Sequence, residues 1–260
     1  GTIAVWGSSD NGGSGAPSSG TYINVFSTEY AFAALKEDGS IAVWGSYLGA
    51  GGSDAPSSGT YINVFSTKYA FAALKDDGSI VAWGHSGYGG TGAPSSGRYV
   101  NIFSTDSAFA ALKEDGSIAV WGSSGYGGSG APSSVTDASS GVVKVFSTES
   151  AFAALKEDGS IAVWGSSVYG GSGAPSSVTN VTDPSFVPIV NIFSANNAFA
   201  ALKSDGSVTS WGDSRYVGAP TDSGYVNIFS VNTNGFAALK EDGSITAWPD
   251  FYSGVPSGTG

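Results

Sequence analysis

The chain has 260 residues, of which 21 are acidic and 10 basic, giving a formal net charge of −11 at pH 7. This excess of negative charge repels phosphate backbones and therefore disfavours nucleic acid as a partner. The sequence has no Cys, which excludes disulfides, thiolate metal sites and Cys nucleophiles. No apolar run reaches the length of a membrane span, so we expect no membrane insertion.

The chain opens at residues 2–7 with Thr-Ile-Ala-Val-Trp-Gly, which matches the last part of a unit that recurs downstream. The first complete unit has three strand-like runs: one ending in Phe26, one at 31–36, and one ending in Trp44. An Asp-Gly pair ending at Gly39 predicts a tight hairpin turn, because Gly readily adopts positive φ. Apolar residues on both faces of these runs predict a sheet that is covered on both sides.

The same unit then returns through the whole chain. Its Phe and Trp keep one separation in the first five units, whereas the linkers between units vary in length. We therefore expect the three runs to pack as one sheet and the linkers to lie at the surface. Radially arranged sheets bury both faces of every repeat, so we predict a single all-β propeller domain over residues 1–260. Its parts are an N-terminal half-repeat at 1–19 and full repeats at about 20–58, 59–96, 97–134, 135–177, 178–220 and 221–260.

The pattern Ala-Leu-Lys-x-Asp-Gly-Ser-Ile-x-x-Trp-Gly, followed by a Gly-rich linker and a Pro, resembles the repeat of the regulator of chromosome condensation propellers. The short linkers make the chain most similar to the compact β-lactamase inhibitory members of that family. The resemblance covers nearly the whole chain and implies a seven-bladed propeller, closed by joining an N-terminal Trp strand to C-terminal strands. Phe-Ser-Thr at 26–28 and Gly-Gly-Ser-Gly at 127–130 depart from the family's pattern.

The repeat count leaves an imbalance. There are seven Trp runs but only six runs of the Phe-Ala-Ala-Leu type. Residues 2–6 therefore lack a partner hairpin in this chain, and we expect the seventh blade to be incomplete or to be completed by another segment or chain. Because an unpaired strand edge pairs readily with other polypeptides, a structural module that self-associates through this N-terminal strand is one functional alternative.

Little in the sequence indicates catalysis. The sole His, His85, lies in a linker, and no Ser/Asp arrangement recurs around it. The Asp of each Asp-Gly pair is expected to stabilise its own turn. Calcium binding is the alternative, but each turn supplies two carboxylates without the spacing of an EF-hand loop. We predict no catalytic residues, no metal, no cofactor and no enzymatic activity.

Two sets of residues are candidates for binding. The turns between the first and second runs differ among otherwise uniform repeats, which indicates either a binding face or unconstrained turns. This first set is Glu29, Tyr30, Lys68, Tyr69, Asp106, Glu149, Asn196, Asn197 and Asn232. A Tyr also recurs in the linker after Trp, where it either tethers the linker or provides a stacking platform. This second set is Tyr47, Tyr88, Tyr126, Tyr169 and Tyr216.

The prediction is a non-enzymatic binding propeller that recognises protein or glycan through one rim of loops. The family resemblance also implies an enzyme-inhibitor or nucleotide-exchange role as a further alternative. Low charge, many Ser, Thr and Gly residues, and one N-glycosylation sequon at Asn180 favour an extracellular or cell-surface location.

Overall fold

A computed structural model of the chain describes residues 1–45, 49–231 and 235–249. In these residues, strands form six antiparallel sheets of three strands each. The first strands are β1 (Tyr22–Ser27), β4 (Tyr61–Ser66), β7 (Tyr99–Ser104), β10 (Val142–Ser147), β13 (Ile189–Ser194) and β16 (Tyr225–Val231). The second strands are β2 (Ala31–Lys36), β5 (Ala70–Lys75), β8 (Ala108–Lys113), β11 (Ala151–Lys156), β14 (Ala198–Lys203) and β17 (Gly235–Lys240). The third strands are β3 (Ile41–Gly45), β6 (Ile80–Gly84), β9 (Ile118–Gly122), β12 (Ile161–Gly165), β15 (Val208–Gly212) and β18 (Ile245–Trp248).

The remaining regular structure lies in the linkers. It comprises two short helices, α1 (Ser133–Thr136) and α2 (Ser176–Thr179), and the 3-10 turns Ser9–Asn11, Ser86–Tyr88, Ser124–Tyr126 and Ser167–Tyr169. None of the helices in the described part of the chain is long and apolar enough to cross a membrane.

Each three-stranded sheet corresponds to one full repeat and is called a blade, numbered 1 to 6 in chain order. Blades 1–3 belong to a compact unit at residues 1–130, and blades 4–6 to a second compact unit at residues 131–260. The predicted all-β propeller class is confirmed, with six three-stranded blades in the described residues. The seven-blade count and the single domain over 1–260 remain predictions.

Between successive blades of one unit, small side chains of one blade pack against large aromatic side chains of the next. In blade 2, Phe71 stacks on Trp83 with ring centroids 5.2 Å apart. This face packs against Ala31, Ala33 and Leu35 of blade 1. Alanine at these positions lets the sheets approach closely enough for the aromatic rings to be buried without voids. The same arrangement recurs between blades 2 and 3, 4 and 5, and 5 and 6.

The Asp-Gly turns between second and third strands are built by local hydrogen bonds. Asp38 Oδ1 accepts from the backbone N–H of Ser40 at 2.9 Å and from its hydroxyl at 2.7 Å. Gly39 has φ of +78°, a conformation that non-Gly residues rarely adopt. The hydrogen bond from the Ser40 hydroxyl and, to a smaller extent, the one from its backbone N–H lower the pKa of Asp38. The carboxylate is therefore engaged in its own turn.

Each first strand contains a bulge that the sequence pattern did not reveal. Between Tyr22 and Asn24 the register against β2 shifts, so Ile23 is the extra residue and stands 61% exposed. Asn24 Oδ1 accepts a hydrogen bond from the backbone N–H of Val25 at 2.9 Å, which stabilises the irregular backbone. An exposed Ile or Val occupies the equivalent position of every blade, at Ile62, Val100, Val143, Val190 and Val226.

Residues 2–6 lie beside blade 1 without forming a strand ladder. The backbone N–H of Tyr22 donates to the carbonyl of Gly1 at 3.1 Å, as the N–H of Tyr61 donates to Gly39 at 2.8 Å. Ile3 and Val5 pack against the aromatic face of blade 1. Trp6 is 85% exposed, whereas the other six Trp side chains are buried. The segment thus occupies the position of a third strand, but without the expected partner strand among the described residues.

Candidate binding surface

The turns between first and second strands are joined to each other by backbone hydrogen bonds within each unit. In the first unit, the N–H of Glu29 donates to the carbonyl of Lys68, and the N–H of Lys68 donates to that of Asp106, both at 2.9 Å. In the second unit, the N–H of Glu149 donates to the carbonyl of Asn196 at 3.0 Å. The predicted turn residues of neighbouring blades therefore lie side by side.

A threonine connects each of these turns in blades 1–4 to the linker of its own blade. The Thr67 hydroxyl accepts from the N–H of Ala70 at 3.1 Å and donates to the carbonyl of Tyr88 at 2.9 Å. In the same way, the hydroxyls of three other threonines donate to backbone carbonyls of their linkers: Thr28 to Ala50, Thr105 to Tyr126, and Thr148 to Tyr169. The Phe-Ser-Thr pattern, noted in the sequence only as a departure from the family, thus positions the linker against the turn.

Four rings from blades 1 and 2 form one aromatic cluster at this place. Tyr30 and Tyr69 are stacked, with centroids 5.5 Å apart and planes 5° from parallel. Tyr88 meets the ring of Tyr69 edge-on at 4.5 Å. His85 lies 5.1 Å from Tyr88 and 6.5 Å from Tyr69. The turn residues 28–30, 67–69 and 105–107 and the linker residues 85–88 and 123–126 are called the turn surface.

Charged groups border the aromatic cluster. The Tyr69 hydroxyl donates to Glu29 Oε2 at 2.9 Å. This hydrogen bond, together with desolvation and the negative charge of Glu29, raises the pKa of Tyr69 to about 12. Beside it, Lys68 Nζ lies 2.7 Å from Asp106 Oδ2. The turn surface thus combines fixed rings with charges of both signs.

His85 has a structural position in this cluster. Its Nδ1 accepts a hydrogen bond from the N–H of Gly87 at 3.1 Å and caps the 3-10 turn that ends at Tyr88. Its backbone N–H donates to the carbonyl of Tyr69 at 2.9 Å. Sequence patterns placed His85 in a linker and gave no signal that it would lie against two tyrosines.

The equivalent residues of the second unit are more polar. Arg215 Nη2 donates to Asp213 Oδ2 at 2.6 Å, and its guanidinium lies 5.2 Å from the centroid of the Tyr216 ring. Hydrogen bonding to Arg215 lowers the pKa of the buried Asp213. The N–H of Asp213 donates to the carbonyl of Asn197 at 3.0 Å, which ties this linker to its turn.

In each of blades 2 to 5, the structure places the predicted linker Tyr near the predicted turn residues of the same blade. Tyr126 is 36% exposed, and Tyr169 is half-buried on the second unit. Tyr47 and Asn232 lie outside the described residues. In the linker of blade 1, Ala50 provides the carbonyl that Tyr88 provides in blade 2.

Two further findings concern candidate chemistry. Within residues 1–45, 49–231 and 235–249, no group of three or more His, Asp or Glu side chains is arranged to bind a metal ion. Asn180 is exposed in the linker after α2, and its Oδ1 accepts from the N–H of Thr182 at 3.0 Å and from its hydroxyl at 2.8 Å. The sequon is therefore on the surface.

No protein-family profile and no curated protein matches this chain. Among solved structures, the ectodomain of the receptor kinase CR4 from Physcomitrella patens aligns with a TM-score of 0.52 at 15% identity; the match covers 90% of this chain and 62% of that one. The CRINKLY WD40 ectodomain of ACR4 from Arabidopsis thaliana has the same score and identity, covering 90% and 81%. Prp20p from Saccharomyces cerevisiae, the yeast RCC1, aligns at 0.53 and 16% identity, covering 87% and 71%. The predicted likeness to the repeat propellers of this type is confirmed at the level of the fold.

Proposed function

We propose that the chain is a protein-binding module that acts without catalysis and contacts its partner through the turn surface of the first unit. The observation on which this rests is the cluster of Tyr30, Tyr69, Tyr88 and His85. Tyrosine supplies a large amphipathic contact area and loses little conformational freedom on binding, so it is common at interface hot spots. Here hydrogen bonds and ring contacts pre-organise the tyrosines, which lowers the entropic cost of association.

The chemistry around the cluster favours a protein partner over a glycan. Glu29 and the Lys68–Asp106 ion pair border the rings. An aromatic centre with a charged border is the usual composition of a protein–protein interface. Prp20p has binding properties toward Gsp1p and histones and has been seen bound to Kap60. The formal charge of −11 favours a partner with a basic surface over nucleic acid.

Affinity capture from an extract of the source organism tests the proposal. The immobilised chain is compared with a double variant, Tyr30→Ala with Tyr69→Ala, and with Tyr169→Ala as a matched control on the second unit. We expect one saturable protein partner whose capture falls at least about tenfold in the double variant only. Equal capture by all three proteins would overturn the proposal, and binding on a glycan array that depends on the same tyrosines would replace the protein partner by a sugar.

We also propose an extracellular or cell-surface location. The exposed sequon at Asn180 supports it, and two of the similar structures are ectodomains of receptor kinases. The alternative of self-association rests on residues 2–6 and not on the turn surface. It is consistent with the exposure of Trp6.

A further inference from the structure

An open cavity of about 450 Å³ lies between blades 5 and 6 of the second unit. Its walls are the Asp-Gly turn of blade 5 and the beginning of the first strand of blade 6, together with the turn of blade 6. The residues that matter for its chemistry are Val190, Lys203, Asp205, Gly224, Val226 and Glu241. This cavity and these residues are called the blade 5–6 cleft.

The cleft lies where the three other blade pairs within one unit place a side chain. In every pair, the residue just before the first strand of one blade lies against the turn glycine of the preceding blade. A Cβ atom on that glycine would come within 3.3 Å of the residue in question, as Gly39 does with Thr60, Gly78 with Arg98 and Gly159 with Pro188. Between blades 5 and 6 the pair is Gly206 with Gly224, whose backbone nitrogen is 3.1 Å from the corresponding point. Since Gly224 has no side chain, the cleft stays open.

Arg98 shows which chemical group fits between two such turns. Its Nε lies 3.3 Å from Oε1 of Glu114, in the turn of blade 3. On the other side is Asp77, in the turn of blade 2. Hydrogen bonds from Ser79 lower the pKa of Asp77, and the positive charges of Lys75 and Arg98 lower it further. The guanidinium of Arg98 therefore lies near carboxylates of two successive blades.

The blade 5–6 cleft has the same two carboxylates without the cation. Asp205 is equivalent to Asp77 in the repeat, and Glu241 is equivalent to Glu114. Within the part of the chain that the structure describes, the Glu241 side chain has no hydrogen bond or ion pair. Gly224 stands where Arg98 stands between blades 2 and 3.

The charge balance of the cleft also favours a cation. Lys203 contributes one positive charge, against two negative charges from Asp205 and Glu241. Lys203 is equivalent to Lys75, which acts on the same carboxylate as Arg98. A lysine at this position is thus compatible with a guanidinium beside it.

We propose that the blade 5–6 cleft binds the guanidinium group of a ligand. The group lies between Asp205 and Glu241, in the place that Arg98 takes between blades 2 and 3. A planar guanidinium has donors on several edges, so it can serve both carboxylates at once. Its methylene chain packs on Val190 and Val226, which are 52% and 46% exposed. This site belongs to the second unit and does not depend on the turn surface of the first.

NMR titration of the isotope-labelled chain with N-acetyl-arginine amide tests the proposal. We expect saturable shifts of the amide signals of Gly206 and Glu241. N-acetyl-citrulline amide has nearly the same shape but no charge, so it should bind about threefold or more weakly. Glu241→Gln should weaken binding of the arginine amide to a similar extent. Glu114→Gln is the matched control, because Arg98 already fills its site, and it should leave the shift at Gly206 unchanged.

Arg98→Ala provides the converse experiment. It removes the side chain that occupies the equivalent place between blades 2 and 3, so the arginine amide should gain a second site there. Saturable shifts at Gly78 and Glu114 would report it, and failure to gain this site would contradict the proposal. Absence of saturable shifts at Gly206 in the native chain would overturn it. So would equal binding of the citrulline amide, or unchanged binding by Glu241→Gln.

The same group occurs in free guanidinium compounds and in arginine side chains of polypeptides. A capped Gly-Gly-Arg-Gly-Gly peptide distinguishes these two sources of the proposed ligand. Tighter binding of the peptide than of the amide assigns an arginine of a polypeptide, and equal binding assigns a free compound.

Discussion

The hydroxyl of Thr67 donates a 2.9 Å hydrogen bond to the carbonyl oxygen of Tyr88. Thr67 belongs to a turn and Tyr88 to a linker, so one buried side chain joins two segments that are distant in sequence. The linker Tyr is thereby positioned against Tyr69 of the turn, at 4.5 Å between ring centroids. In blade 2, residues from two candidate sets that sequence patterns present as separate therefore form one surface.

Replacing Thr67 with Val should weaken this connection. Valine has nearly the same shape but leaves the Ala70 N–H and the Tyr88 carbonyl without their hydroxyl partner. An unsatisfied buried polar group costs about 1–3 kcal/mol, so the free energy of unfolding should fall by that order. Urea denaturation measures the loss. Thr221→Val at an exposed position is the matched control, and equal stability of the two variants would contradict the assigned role.

The hydrogen bond between Tyr69 and Glu29 predicts a distinctive alkaline titration. The pKa of Tyr69 is raised to about 12, above the usual value of about 10, because the neutral phenol donates to the carboxylate. Because the pKa of the Tyr69 phenol is higher in the folded chain than in the unfolded chain, the stabilisation of the fold by its hydrogen bond to Glu29 is fully present below pH 10. It is lost as the pH rises through the folded-state value of about 12.

The titration is measured as phenolate absorbance of the native chain minus that of Tyr69→Phe. Glu29→Gln should move the difference signal toward pH 10, because the amide no longer carries the charge that opposes ionisation. A native difference signal that already titrates near pH 10 would show that the Tyr69–Glu29 bond does not persist in solution.

Local patterns predicted the parts of this fold that local chemistry determines. The hairpin turn at Gly39 and the buried Ala31 and Ala33 follow from turn composition and from alternation along a strand. The register shift at Ile23 was not predictable, because a bulge needs the partner strand to define it. The contact of His85 with Tyr88 depends on where a linker of variable length folds back, and no periodicity encodes that.

The two aromatic faces of blades 1 and 2 give a matched pair of core substitutions. Phe32 and Phe71 each stack on a Trp at 5.2 Å, but only Phe71 is fully buried. Phe71→Ala should destabilise by about 3–5 kcal/mol, as is usual for a buried Phe. Phe32→Ala should lower the free energy of unfolding clearly less, because the Phe32 ring is already partly exposed. Equal losses of unfolding free energy in chemical denaturation would mean that the Phe32 ring is as well covered in solution as the Phe71 ring.

The exposed sequon yields a test of the proposed location. Asn180 and Thr182 are both exposed, so a glycan on the Asn180 amide projects into solvent without displacing core residues. Expression through a eukaryotic secretory pathway should add the mass of one N-linked glycan, which peptide N-glycosidase removes.

Thr182→Ala should abolish this mass increase, because the sequon requires a hydroxyl residue at that position. It also removes the hydrogen bond that the Thr182 hydroxyl donates to Asn180 Oδ1, so Ser185→Ala, three residues further along the same linker, serves as the control for loop perturbation. We expect the control to be glycosylated like the native chain. A secreted native chain without added mass would show that this surface sequon is not used, and would remove one of the observations that favour an extracellular location.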